Sequence, residues 1–159
     1  MRSLPTAELA TESATLDLGA RLGAELRAGD LVLLDGPLGA GKTVLARGVA
    51  AGMGVTGQVT SPTFVIARVH HPAEGDGPAL VHVDAYRLGG LDEIDDLDLD
   101  TDLTDAAVVV EWGEGVAEHL SEDYLVLRIH RREDDVREIT FEPHGERWVR
   151  WLADHPGFV

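Results

Sequence analysis

Leu31-Val32-Leu33-Leu34-Asp35-Gly36-Pro37-Leu38-Gly39-Ala40-Gly41-Lys42-Thr43 runs from a short apolar stretch through a glycine-rich segment to a lysine and a hydroxyl. Residues 36–43 have the spacing G-x-x-x-x-G-K-[ST] of a phosphate-binding loop, or P-loop. The four apolar residues in front have strand length and suit a sheet covered on both faces. Val44 to Met53 behind the loop reads as a helix. Strand, glycine loop and helix form the context that gives the spacing its meaning: successive backbone N–H groups and the helix N-terminus converge on phosphate. Gly36 and Gly41 permit the tight backbone and its close approach, and Gly39 and Ala40 belong to the same phosphate-binding run. Lys42 is expected to lie along the β- and γ-phosphates of a nucleotide, with the Thr43 hydroxyl on Mg²⁺.

Lys42 is also the only lysine, against twelve arginines. A bias toward arginine explains the imbalance but not the position of the survivor. A compact ammonium on a flexible stem reaches between phosphate oxygens inside a tight loop, where a planar guanidinium is too bulky.

The chain has 159 residues, 44% of them hydrophobic, which fits one domain spanning residues 1–159 with a real core. The formal net charge of −16 opposes nonspecific binding to nucleic-acid backbones, so contact with RNA is expected only through a partner. Cysteine is absent, which excludes disulfides, thiolate zinc sites and cysteine nucleophiles. No apolar segment follows Met1-Arg2-Ser3-Leu4-Pro5, and runs such as Ala106–Val110 are far shorter than a membrane span. A cytoplasmic protein is expected.

Leucines 16, 18, 22 and 26 predict a helix over residues 12–28, ended by Gly29-Asp30. Strands are predicted over 64–69, 79–83, 107–110, 124–130 and 136–141. The last two flank Arg131-Arg132-Glu133-Asp134-Asp135 and read as an antiparallel hairpin. Residues 72–78 read as a loop, and Glu146 to Asp154 as a closing helix with Trp148, Trp151 and Leu152 on one face. The pattern predicts an α/β, P-loop NTPase-like three-layer fold whose central sheet is mostly parallel, with an antiparallel C-terminal hairpin. The order of strands is left open.

A P-loop needs a further carboxylate to order magnesium or water. Asp84 and Glu111 each end a predicted strand, where side chains of an open α/β sheet meet the binding crevice. At this point Gly39–Thr43, Ser61-Pro62-Thr63-Phe64, His82-Val83-Asp84-Ala85-Tyr86-Arg87-Leu88 and Glu111-Trp112, in this order, resemble the TsaE (YjeE) family. The four blocks, with Glu12–Leu16 as an opening helix, extend over roughly residues 12–112. No block beyond the P-loop is specific alone; the ordered set is. The resemblance implies an Mg²⁺-dependent ATPase needed for threonylcarbamoyladenosine formation in tRNA, acting with TsaD and TsaB. It implies phosphate and magnesium roles for Lys42 and Thr43, a switch-like threonine in Thr63 and magnesium-linked carboxylates in Asp84 and Glu111. Tyr86, Arg87 and Trp112 are implied in activity or partner contact, and Glu12 and Thr15 in the approach to the base. Which carboxylate touches the metal stays open. Many members have aspartate where this chain has Pro37, whose missing N–H removes one donor to phosphate.

Other assignments meet obstacles. The acidic run from Leu91 to Asp105 starts like a calcium loop at Asp98, Asp100 and Asp102, but places Leu103 and Val109 where glycine and glutamate are required. A solvated face or a partner-docking surface accounts for it better. His70, His71 and His82 fail as a metal cluster because strand neighbours point to opposite faces. Trp148 and Trp151 read as core, not as stacking platforms. With no asparagine and no second lysine, the N-K-x-D signature of guanine-specific GTPases is absent. A small-molecule kinase would need an arginine-bearing lid, and the Arg131-Arg132 pair lies among acids. The small-molecule P-loop kinase, as runner-up enzyme, and a nucleotide-gated interaction module with little turnover stay as alternatives. No arginine finger is evident in cis, so slow hydrolysis, accelerated by partners, is expected.

Overall fold

Leu31 to Leu34 are sealed from solvent, as a strand flanked on both edges and covered on both faces must be. In the computed structural model, residues 5–36, 41–55, 67–70, 78–84, 106–111 and 121–155 are described, with backbone alone at 67–70 and 84. Along them run β1 (Thr6–Leu9), α1 (Glu12–Gly23), β2 (Leu31–Asp35), α2 (Lys42–Met53), β3 (Ala67–His70), β4 (Ala79–Asp84), β5 (Ala106–Glu111), β6 (Tyr124–Arg131), β7 (Arg137–His144) and α3 (Glu146–Asp154). The described strands join one sheet in the order β1-β7-β6-β2-β5-β4-β3. The pairs β6-β2, β2-β5 and β5-β4 are parallel; β1-β7, β7-β6 and β4-β3 are antiparallel. The predicted α/β fold and its C-terminal hairpin are therefore present.

Alternate residues of the strands, among them Val32, Leu34, Ala107, Val109, Leu125, Leu127, Ile139 and Phe141, meet Leu18, Leu22, Leu45 and Val49 of the helices in one core. The opposite face is sealed too, at Leu31, Leu33, Val81, Val108, Val110 and Val126. Trp148 and Trp151 are buried edge to face, 5.5 Å apart, which bears out their reading as core. Asp30 is buried beneath α3: Arg147 donates to it from Nε and Nη2, both at 2.7 Å, and the Arg27 N–H adds a third bond at 2.7 Å.

Two expectations change. The first helix ends at Gly23, five residues earlier than predicted, because the chain then turns through bonds from Glu25 N to Leu22 O and from Leu26 N to Gly23 O. Leu26 keeps the helical spacing by being buried in that turn. Secondly, β1 was not predicted. Its four residues alternate exposed and buried, and pair antiparallel with β7. Residues 64–66, 71–77 and the acidic run 91–105 lie outside the described residues. No described helix is long and apolar enough to cross a membrane.

Candidate phosphate site

Three parallel strands deliver the site. β2 ends at Asp35 and leads into the glycine loop, while β4 and β5 end at Asp84 and Glu111. Leu34, Glu111 and Asp84 are in register across these strands, so both carboxylate positions lie in the row where the loop begins. Because β7 runs opposite to β6, its first residue, Arg137, comes to this same edge of the sheet, and β1 delivers the start of α1 there.

α2 begins directly on the loop. Its N-cap, Gly41, has φ 112°, a conformation that disfavours a side chain, and offers no side-chain cap. No acid stands in the first turn, so the exposed N–H groups and the positive end of the dipole have no carboxylate of that helix beside them. Lys42 is 5% exposed and its Nζ donates to the Gly36 carbonyl at 2.5 Å, which ties the helix start back to the end of β2. Thr43 is half-buried in the same turn. Beneath the loop, Arg128 ties Asp35 (2.9 Å) to Glu142 (2.7 Å), which fixes the end of β2.

Glu111 is 4% exposed, and its Oε2 lies 2.6 Å from Nε2 of the fully buried His82. With the carboxylate ionised, Nε2 is the donor. Nδ1 of His82 is buried with no hydrogen-bond partner. In the sequence His82 figures in a rejected metal cluster and in the His82–Leu88 block, and neither reading shows this pair. Its signal is the i, i+2 spacing of His82 and Asp84, legible only once β4 lies beside β5. Arg137 was also passed over. Its Nε lies 3.8 Å from where a Cβ on Gly41 would stand, and its Nη1 donates to the Asp135 carbonyl at 2.7 Å.

Glu12 is exposed at the start of α1, whereas Thr15 is buried and donates its hydroxyl to the Thr11 carbonyl at 3.4 Å. Gly39, Ala40, Thr63, Tyr86, Arg87 and Trp112 lie outside the described residues. Arg131 and Arg132 are held by Asp135 and by Asp134, Glu138 and Glu8, an arrangement unlike a lid poised over phosphate. The hydrogen bond between Arg132 and Asp134 raises the guanidinium pKa above its ordinary value and lowers that of the carboxyl. No group of three or more metal-ligating side chains occurs among the described residues.

The donor set suits a magnesium nucleotide: a buried ammonium, an uncapped helix start, a hydroxyl and a buried carboxylate. Against known proteins, residues 9–139 match the model of the family described as threonylcarbamoyl adenosine biosynthesis protein TsaE. A protein of that name from Streptomyces coelicolor is 64% identical over 138 residues, 84% of this chain and 93% of the relative. Its Bacillus subtilis namesake is 43% identical over 121 residues, 76% of this chain and 73% of the relative. The crystal structure of Bacillus subtilis YdiB superposes with a TM-score of 0.75 at 32% identity, covering 98% of each chain.

Proposed function

The chain belongs to the TsaE family of tRNA threonylcarbamoyladenosine biosynthesis, and from that premise we propose that it binds Mg²⁺-ATP at the loop of residues 36–43 and hydrolyses it. One observation carries this reading: Lys42, buried and reaching back to the Gly36 carbonyl, stands in the first turn of a helix that has neither a side-chain cap nor an acid there. An ammonium beside a helix start attracts phosphate oxygens, because both present positive charge and N–H donors.

In this reading Lys42 moves from the Gly36 carbonyl to the β- and γ-phosphates, and the loop and α2 N–H groups hold their oxygens. Thr43, with Glu111 or Asp84, holds Mg²⁺, which when bound neutralises charge on the phosphates. The carboxylate not so used orients the attacking water. Glu12 at the start of α1 borders the base. Thr63, Tyr86, Arg87 and Trp112 are proposed to serve the γ-phosphate and partner contact, as the family resemblance implies. The partners are TsaD and TsaB, with tRNA met through them, and turnover is slow without them.

The Lys42→Ala chain tests the assignment. Calorimetry should find ATP binding lost, and hydrolysis and modification in the reconstituted system should fall to background. Full activity in that variant overturns the site. Turnover by the wild type that TsaD and TsaB leave unchanged overturns the partner assignment.

A further inference from the structure

We infer that His82 is a positioning residue that holds the Glu111 carboxylate in place for its work on magnesium or water, an inference that rests on the function proposed above. His82 sits within β4, and its position pairs with Val109, one pleat below Glu111 on the same face. Its neighbours Val81 and Val83 are buried apolar residues of the opposite face. An aliphatic side chain would fill such a place without penalty. The imidazole instead buries an unpartnered Nδ1, which costs the hydration of that atom. What it gains is the 2.6 Å bond to Glu111, which is the hydrogen bond of that carboxylate among the described residues.

Oε2 takes the bond to His82, and Oε1 is the oxygen with no hydrogen bond among the described residues, available to a cation or a water. This is the geometry by which outer partners orient a ligating group.

The test compares His82→Ala, His82→Gln, Glu111→Ala and the His82→Ala/Glu111→Ala double variant. ATP affinity is measured by calorimetry with Mg²⁺ and with a chelator, alongside hydrolysis and Tm. His82→Ala should shrink the gain in affinity that Mg²⁺ confers and lower kcat about 10- to 100-fold, leaving metal-free affinity unchanged. His82→Gln, whose amide can donate to the same oxygen, should recover part of both. In the Glu111→Ala background, His82→Ala should add nothing. A folded His82→Ala with wild-type kcat and Mg²⁺ dependence overturns the inference, as does an equal loss in the Glu111→Ala background. Should His82→Ala not fold, His82→Gln against His82→Asn decides, since the shorter amide falls short of Glu111; equal behaviour of the two overturns it. A wild type that binds no ATP overturns the proposed function with it. Binding that is lost in Lys42→Ala but indifferent to His82 overturns this inference alone.

Discussion

The buried carboxylates Asp30 and Glu111 are held in different ways, and the consequences of disturbing them differ. Asp30 is closed in a bidentate pair with Arg147 plus a backbone N–H, which leaves it no role but structure. Arg147→Ala strands that buried carboxylate and should cost about 3 kcal/mol. For a chain of this size, calorimetry should then find Tm lowered by roughly 6–12 °C. The hydrogen bond to Asp30 raises the Arg147 pKa, partly opposed by burial. A raised cation contributes fully below its unfolded value and loses that contribution only as pH rises through the folded one, which here lies above the ordinary guanidinium range. The deficit of Arg147→Ala should therefore be the same at pH 6.5 and pH 9. Glu111 is held among the described residues by the single bond to His82, and Glu111→Gln keeps size while removing charge. It should leave Tm within about 2 °C and lower ATP turnover about 100-fold or more. Both kinds of residue can be picked out in the sequence as acids beside apolar runs. Their partners cannot, because Arg147 is 117 positions from Asp30 and His82 is 29 from Glu111.

At the scale of elements, α1 and α2 pack backbone to backbone. A Cβ on Gly19 would stand 2.6 Å from the Leu45 carbonyl oxygen and 2.9 Å from Gly48 Cα; one on Gly48 would strike the Leu16 carbonyl. Gly48→Ala should therefore cost about 2 kcal/mol through forced separation of the helices, despite alanine's better helix propensity. Chemical denaturation should register the loss as a lower midpoint at unchanged slope. Because α2 starts on the loop, the same variant should also weaken ATP binding. Gly48 lies inside the predicted helix, but the need for glycine there comes from α1 and is invisible locally. The same division between local and distant causes runs through the fold. Continuous apolar runs such as Leu31–Leu34 and Ala106–Val110 were legible as interior strands because burial on both faces leaves no alternation. Four-residue β1 was not, since Thr6-Ala7-Glu8-Leu9 carries only two buried positions and owes its state to β7. Helix α1 was read too long because Leu26 is buried for reasons other than helical periodicity. Lys42, Thr43, Asp84 and Glu111 were legible because a loop spacing and strand ends are local features.

For the whole molecule, the charge distribution is set against the chain's average. A protein of net charge −16 repels nucleotides at a distance, so the positive groups near the loop act as a local exception. The antiparallel return of β7 is what brings Arg137 to the α2 start, beside Lys42 and the helix dipole. Partly exposed charges of this kind are worth up to about 1 kcal/mol, so Arg137→Ala should weaken ATP binding about 2- to 5-fold. Arg150 serves as the control. It is 76% exposed, pairs with Glu146 within α3, and belongs to the helix that starts where β7 ends, at the opposite edge of the sheet. Arg150→Ala changes net charge by the same unit and should leave ATP affinity unchanged. If net charge alone governed approach, the two variants would weaken binding equally. If position governs, the Arg137 effect should be largest in dilute buffer and shrink toward about 0.3 M salt, where screening shortens the reach of its charge. Calorimetric titrations of both variants across that range decide between the two.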